Sequence, residues 1–223
     1  MTPIRAIHQI EMTSRCNLRC RYCVHPTMPR PKIDMDEATY TRALDLASMC
    51  VSLYGQDELN LAGIGESTLH PHFVEWVHRA RKAVGPDVKL VITTNGILIT
   101  DEMAQALLPA RPAFFVSLHR PEKAGPAVEI LRRHNMLIGV SADPSIAAVD
   151  WAGQVKWHVS VQKGEPCKWV KGGWGFVMAD GRISACSFDG SGEGVIGHVN
   201  DDIQIVRTKP YGLCKSCHLD VGV

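Results

Sequence analysis

The chain has 223 residues, 45% of them hydrophobic and 21% charged, with 24 Lys and Arg against 23 Asp and Glu, a formal net charge of +1 and eight cysteines. That apolar share supports one core of about 150 residues plus a small appendage, and it excludes a disordered chain and a disulfide-knotted miniprotein. The near-neutral balance excludes a general nucleic-acid coat, which needs a broad basic surface, and leaves local basic patches open.

Residues 4–11 mix Ile and Ala with His8 and Gln9 and end at Thr13 and Ser14, the pattern of a first strand entering a loop. Asp34 with Glu37 three residues on is a helix-capping signal, and Tyr40, Ala43, Leu44, Ala47, Cys50 and Val51 then recur at helical spacing. Residues 59–62 form a short apolar strand closed by glycines. Phe73, Trp76, Val77, Ala80, Ala83 and Val84 repeat the 3.6 period until Gly85-Pro86 stops it.

The alternation continues with a strand at 89–94, a helix from Thr100 to Pro109, a strand at 113–118, a helix at 121–133, and strands at 136–142 and 155–161. Nearly continuous apolar strands between helices indicate a parallel sheet covered by helices. The last strand differs, because Val155, Trp157, Val159 and Val161 alternate with polar residues as on an exposed edge. The predicted fold is α/β, an open partial (β/α)6 barrel over 1–163. A small second domain of short β pieces, 164–223, follows, with a hairpin around Ala179-Asp180-Gly181.

No apolar run reaches the roughly 18–20 residues that span a bilayer, and the start of the chain lacks the basic and small-residue features of a secretory signal. The expectation is a cytoplasmic protein with no membrane partner. In a reducing compartment, eight cysteines point to thiolate ligation of metal rather than to four disulfides.

Cys16, Cys20 and Cys23 stand in CNLRCRYC, spaced C-x3-C-x2-C, directly after the first strand. Three thiolates on one loop leave a metal position open to an outside ligand; a zinc loop completed by a distant ligand such as His25 is the competing reading. Cys167, Cys186, Cys214 and Cys217 follow a C-x18-C-x27-C-x2-C pattern that closes a tetrahedral site and staples a glycine-rich tail, with structural zinc left open by spacing alone. Cys50 lies on the apolar stripe of the first helix, as a buried core thiol does.

CNLRCRYC, with Tyr22 before its third cysteine, resembles the signature of radical S-adenosylmethionine (SAM) enzymes. The resemblance implies that Cys16, Cys20 and Cys23 hold a [4Fe-4S] cluster whose open iron chelates SAM, that reduction yields methionine and a 5′-deoxyadenosyl radical, and that backbone at Tyr22 contacts adenine. Gly63-Ile64-Gly65-Glu66 after the second strand looks like the family's Gly-Gly-Glu motif for the SAM amino group, with Ile64 inserted and Ser67 where Pro is commoner. Asn95, Ser117 and Asp143 follow the next strands, where family members place polar groups near SAM. In a parallel β/α sheet such strand ends share one rim, the usual place of ligand sites. His119 and Arg120 in SLHRP are candidates for a general base or an anion contact, or else solvated loop residues.

The C-terminal cysteines, with an Asp-Gly hairpin between the first two, resemble the Twitch form of SPASM extensions, which implies a second, auxiliary [4Fe-4S] cluster. The expected reaction is dehydrogenation of a small-molecule substrate, as in Twitch dehydrogenases acting on an aminocyclitol alcohol. An external one-electron reductant such as flavodoxin or ferredoxin would drive it. The chain starts too close to its first strand for the peptide-recognition domain of peptide-modifying relatives, so a peptide maturase ranks lower. The alternatives are a redox-neutral isomerase acting on amino-acid-modified thymine in phage DNA, a nucleotide substrate, and a zinc-stapled binding protein. Lys168, Trp169, Lys171 and Trp174 interleave charge and rings in a way that suits DNA, or else are a packed Trp pair beside a solvated loop.

Overall fold

The computed structural model describes residues 1–141, 151–156, 164–217 and 219–221. In chain order its elements are β1 (Thr2–Pro3), β2 (Ala6–Ile10), α1 (Glu37–Tyr54), β3 (Glu58–Asn60), α2 (Phe73–Val84), β4 (Lys89–Thr94), α3 (Asp101–Leu107), β5 (Ala113–Ser117), α4 (Pro121–Arg133), β6 (Leu137–Ser141), α5 (Lys168–Gly172), β7 (Trp174–Val177), β8 (Arg182–Ser184), β9 (Val195–His198) and β10 (Arg207–Thr208).

Eight of the strands form one sheet in the order β6-β5-β4-β3-β2-β7-β8-β9. The first six in that order run parallel, and the last three form an antiparallel meander. Among the described residues the sixth parallel strand is Trp174–Val177, added beside the first strand. Val155 and Lys156 are not in a strand, and residues 157–163 lie outside the described residues.

Alternation along the strands sorts the two faces. Leu59, Leu90, Ile92, Phe114 and Val116 join Tyr40, Trp76, Leu107 and Leu131 of the helices in the main core, which also takes in Val177, Ile183 and Val199 from the C-terminal strands. The hydrophobic core thus crosses residue 164 without a break. Cys50 is fully buried in it, and burial pushes its thiol up to about 11. Phe115 lies on the opposite face, where its ring packs against Gly139 with no room for a Cβ.

Helix ends follow local chemistry. Asp36, not Asp34, caps α1 by accepting from the Thr39 N–H at 2.8 Å, and Gly55 ends the helix at φ 68°. Asp34 instead accepts from the Thr13 hydroxyl at 2.7 Å and pairs with Arg15. Helix α3 stops at Leu107 and a 3₁₀ turn, Leu108–Ala110, carries the chain through Pro109. No helix among the described residues is long and apolar enough to cross a membrane.

Candidate functional site

The cysteine loop is closed at its base by hydrogen bonds. The Ser14 N–H donates to the Ile33 carbonyl at 2.9 Å, the Ile33 N–H returns a bond to the Ser14 hydroxyl at 2.9 Å, and that hydroxyl also donates to the Pro31 carbonyl at 2.8 Å. Residues 15–32 are thereby held as one loop above the C-terminal end of β2.

Cys16, Cys20 and Cys23 are half-buried on this loop, within electrostatic reach of one another. Burial raises the Cys16 thiol and pushes Cys23 up to about 11, so both hold their protons at neutral pH until a metal displaces them. The N–H groups of Leu18 and His25 donate to the Cys16 and Cys23 sulfurs, each at 3.4 Å, and favour the thiolate that ligation requires. Among the described residues no three Cys, His, Asp or Glu groups converge as a single ion requires. Thiolates bound to separate corners of a cluster need no such convergence, so three sulfurs on one loop fit a [4Fe-4S] cluster. His25, the alternative zinc ligand, is buried with Nε2 against the Ser14 carbonyl at 3.1 Å.

The rim beside the loop is built on two carboxylates. Glu66, 3% exposed, accepts from the hydroxyls of Thr68 and Thr94, each at 2.7 Å, and from the Asn95 N–H at 2.7 Å. Its oxygens therefore join the ends of β3 and β4. Asn95 carries the link onward, donating from Nδ2 to Asn17 Oδ1 inside the cysteine motif at 2.7 Å. Gly65 is required by the chain itself: a Cβ there would sit 2.6 Å from the Arg15 carbonyl oxygen and 2.9 Å from the Ser14 carbonyl carbon. Gly63 packs as tightly on the Glu11 side chain. Ile64, the departure from a Gly-Gly-Glu pattern, fills an apolar pocket with Val24, Met28 and Trp151.

Glu11, at the end of β2, is the second carboxylate, and the sequence reading missed it. It accepts from both Arg30 guanidinium nitrogens, from the Ile64 N–H at 2.9 Å and from the Ala179 N–H at 3.2 Å. A carboxylate at the end of the first strand, ahead of the cysteine loop, was the signal available.

Tyr22 and His119 reach across the rim, with Tyr22 Oη and His119 Nδ1 2.5 Å apart. Burial lowers the His119 pKa and, with the neighbouring Cys20, raises that of Tyr22. Ser117 ends β5 half-buried beside them, and Arg120, exposed at the start of α4, has its charge within reach of Tyr22. Asp143 lies outside the described residues.

The second cysteine set is brought together as well: Cys186 feels the charges of Cys167 and Cys217, and Cys214 that of Cys167. All four sulfurs accept a backbone N–H, from Val170, Phe188, Tyr211 and Leu219, at 3.3–3.5 Å. Residues 151–154 join the two sets. Trp151 donates from Nε1 to the Tyr22 carbonyl at 3.0 Å and stands edge-on to Phe188, and Gln154 donates to the Phe188 carbonyl at 2.7 Å. Nothing in the local sequence marked Trp151 for this role. The Trp169 and Trp174 rings meet edge to face, and Trp174 stacks on His8 at 3.9 Å, so this pair is packed rather than presented to a base.

The family model for the radical SAM superfamily matches residues 10–162. Over 98 residues the chain is 39% identical to the tungsten-containing aldehyde ferredoxin oxidoreductase cofactor-modifying protein of Pyrococcus furiosus, covering 44% of this chain and 26% of that protein. Over 104 residues it is 38% identical to the GTP 3′,8-cyclase of Chlorobaculum tepidum, covering 46% and 29%. The matched stretch thus spans less than a third of these relatives. Among solved structures, BtrN in complex with AdoMet and 2-DOIA superposes with a TM-score of 0.73 at 19% identity, covering 89% of this chain and 80% of that one. Native anSMEcpe with bound AdoMet gives 0.62 at 16%, covering 87% and 78%. These two likenesses are likenesses of fold.

Proposed function

The chain belongs to the radical SAM superfamily, and from that membership we propose that it dehydrogenates a small-molecule substrate with the help of a second, Twitch-type cluster. The observation that carries this reading is the Tyr22–Trp151–Phe188 bridge, which ties the three-cysteine loop to the four-cysteine region. Cys16, Cys20 and Cys23 would hold a [4Fe-4S] cluster that would supply the electron for SAM cleavage to methionine and a 5′-deoxyadenosyl radical, and Cys167, Cys186, Cys214 and Cys217 would hold a second one able to accept an electron.

The protein groups then have distinct tasks. Backbone at Tyr22 and the 63–66 segment borders SAM, with Glu66 and Asn95 holding that rim in shape and the Ser117 hydroxyl available to the ligand. His119, kept neutral by burial, accepts the substrate hydroxyl proton at Nε2 while Tyr22 fixes the ring at Nδ1. The substrate would lose two electrons and two hydrogens: a hydrogen atom to the 5′-deoxyadenosyl radical, giving 5′-deoxyadenosine, a proton to His119 and an electron to the auxiliary cluster. A flavodoxin- or ferredoxin-type carrier supplies the initial electron.

The fold shared with BtrN, solved with 2-DOIA, supports a small molecule. A nucleotide substrate is the second reading, favoured by the identity to GTP 3′,8-cyclases. Anaerobic reconstitution tests the proposal. About eight iron and eight sulfide per chain are expected for two [4Fe-4S] clusters, with one oxidised product per 5′-deoxyadenosine. Cys16→Ala, Cys20→Ala or Cys23→Ala abolishes SAM cleavage, whereas Cys214→Ala retains cleavage and loses product. Stoichiometric zinc without iron, or turnover without net oxidation, overturns it.

A further inference from the structure

Tyr211 stands in the four-cysteine region with a hydroxyl that is completely buried and makes no well-formed hydrogen bond. A buried hydroxyl without a partner is costly, and its presence beside ligating groups calls for an acceptor. The acceptor at hand is sulfur: the Tyr211 hydroxyl lies against the Cys186 side chain.

Tyr211 is held at its backbone and on one face of its ring. Its backbone N–H donates to the Cys214 sulfur at 3.5 Å, and its carbonyl accepts from the Cys214 N–H at 3.0 Å. Gly194 lies flat against the ring, since a Cβ there would stand 2.5 Å from Cζ and 2.8 Å from both Cε atoms. Gly194 is in turn fixed by Asp189, fully buried, whose carboxylate accepts from the N–H groups of Gly192, Glu193 and Gly194 and from the Ser184 hydroxyl at 2.8–3.0 Å.

We propose that Tyr211 is a positioning residue of the auxiliary cluster, donating its hydroxyl hydrogen bond to the Cys186 thiolate and so raising the reduction potential of that cluster. The inference rests on the auxiliary-cluster reading. A hydrogen bond to a ligating sulfur withdraws charge from it and stabilises the reduced cluster, which makes it a better acceptor for an electron leaving the substrate.

The test is a redox titration of the reconstituted protein followed by electron paramagnetic resonance, comparing wild type, Tyr211→Phe and Gly194→Ala. Tyr211→Phe removes one oxygen, and Gly194→Ala drives the ring off its seat. Both variants are expected to keep about eight iron per chain and to shift the auxiliary midpoint to lower potential, with the midpoint of the Cys16/Cys20/Cys23 cluster unchanged. An auxiliary midpoint that stays at the wild-type value in fully loaded variants overturns the role of Tyr211. Wild-type protein that loads about four iron and shows one signal overturns the auxiliary-cluster reading itself, and the Tyr211 inference with it.

Discussion

Arg30 and Glu11, 19 residues apart, meet as a buried two-pronged ion pair, Nη1 to Oε2 at 2.9 Å and Nη2 to Oε1 at 3.2 Å, with 2% and 0% of their side chains exposed. The pair fastens the far end of the cysteine loop to the end of β2. The remaining bonds of Glu11 reach Ile64 and Ala179, and Arg30 Nε reaches the Gly190 carbonyl at 3.3 Å. One carboxylate thus ties together the loop, the 63–66 segment and the C-terminal hairpin.

Removing either partner leaves the other charge buried and unpaired. Glu11→Gln and Arg30→Met are each expected to lower stability by about 3–5 kcal/mol. The double variant is expected to lose less than the sum, with a coupling of about 1–3 kcal/mol. Denaturant midpoints in a double-mutant cycle measure this, and additive losses would show that the pair is not the contact that matters.

Two glycines separate crowding from conformational freedom. Gly65→Ala must push a Cβ into backbone atoms of Ser14 and Arg15, which cannot yield as a flexible side chain does. It is expected to cost about 1–3 kcal/mol and to lower iron loading on the adjacent cysteine loop. Gly125→Ala, within α4 and with nothing inside 4 Å of its added Cβ, is expected to stabilise by about 0.5–1 kcal/mol. Equal losses at the two sites, read by thermal melting and iron content, would refute the crowding argument.

Helices α2 and α4 were legible in the sequence to the residue: Gly85-Pro86 stops the apolar stripe of α2, and Pro121 suits the first turn of α4. The cap of α1 was misplaced by two residues because Asp34, with Glu37 three residues on, carries the fuller local signal, whereas Asp36 has Thr39 at that spacing. Only the folded contact of Asp34 with Thr13 and Arg15 separates them. The place of β7 in the parallel sheet was not legible, since the pairing of Ala6 with Trp174 joins segments remote in sequence. Cysteine spacing exposed the site, but the groups that shape it, Glu11, Arg30, Asn17 and Trp151, are single residues whose partners lie on other segments.

Stability should fall on the acid side of neutrality. Burial lowers the pKa of His8, opposed by Glu58, and of His70, which packs on Trp76 with Nε2 toward the Met35 carbonyl. A histidine whose folded pKa is depressed binds its proton first in the unfolded chain. Unfolding is therefore favoured as pH falls through 6.5 toward the lower folded values, and full stability is present above 6.5. His70→Gln is expected to flatten this slope in melts taken between about pH 5 and 7; an unchanged slope in both His70→Gln and His8→Gln would place the acid sensitivity elsewhere.

His119 makes the corresponding kinetic prediction. Its pKa is lowered from 6.5 by burial, so at pH 7 the imidazole is neutral and able to take a proton from the substrate. Protonation disables it only below 6.5, and product formation is expected to be level above that pH and to fall beneath it. His119→Asn keeps much of the shape and removes the base. It is expected to lose product by about 10²–10⁴-fold and to abolish the acid limb, while 5′-deoxyadenosine still forms and becomes uncoupled from substrate oxidation. Tyr22→Phe leaves the imidazole without its 2.5 Å partner at Nδ1, and a smaller loss of product with the acid limb retained is expected. An acid limb that persists unchanged in His119→Asn would assign proton removal to a different group.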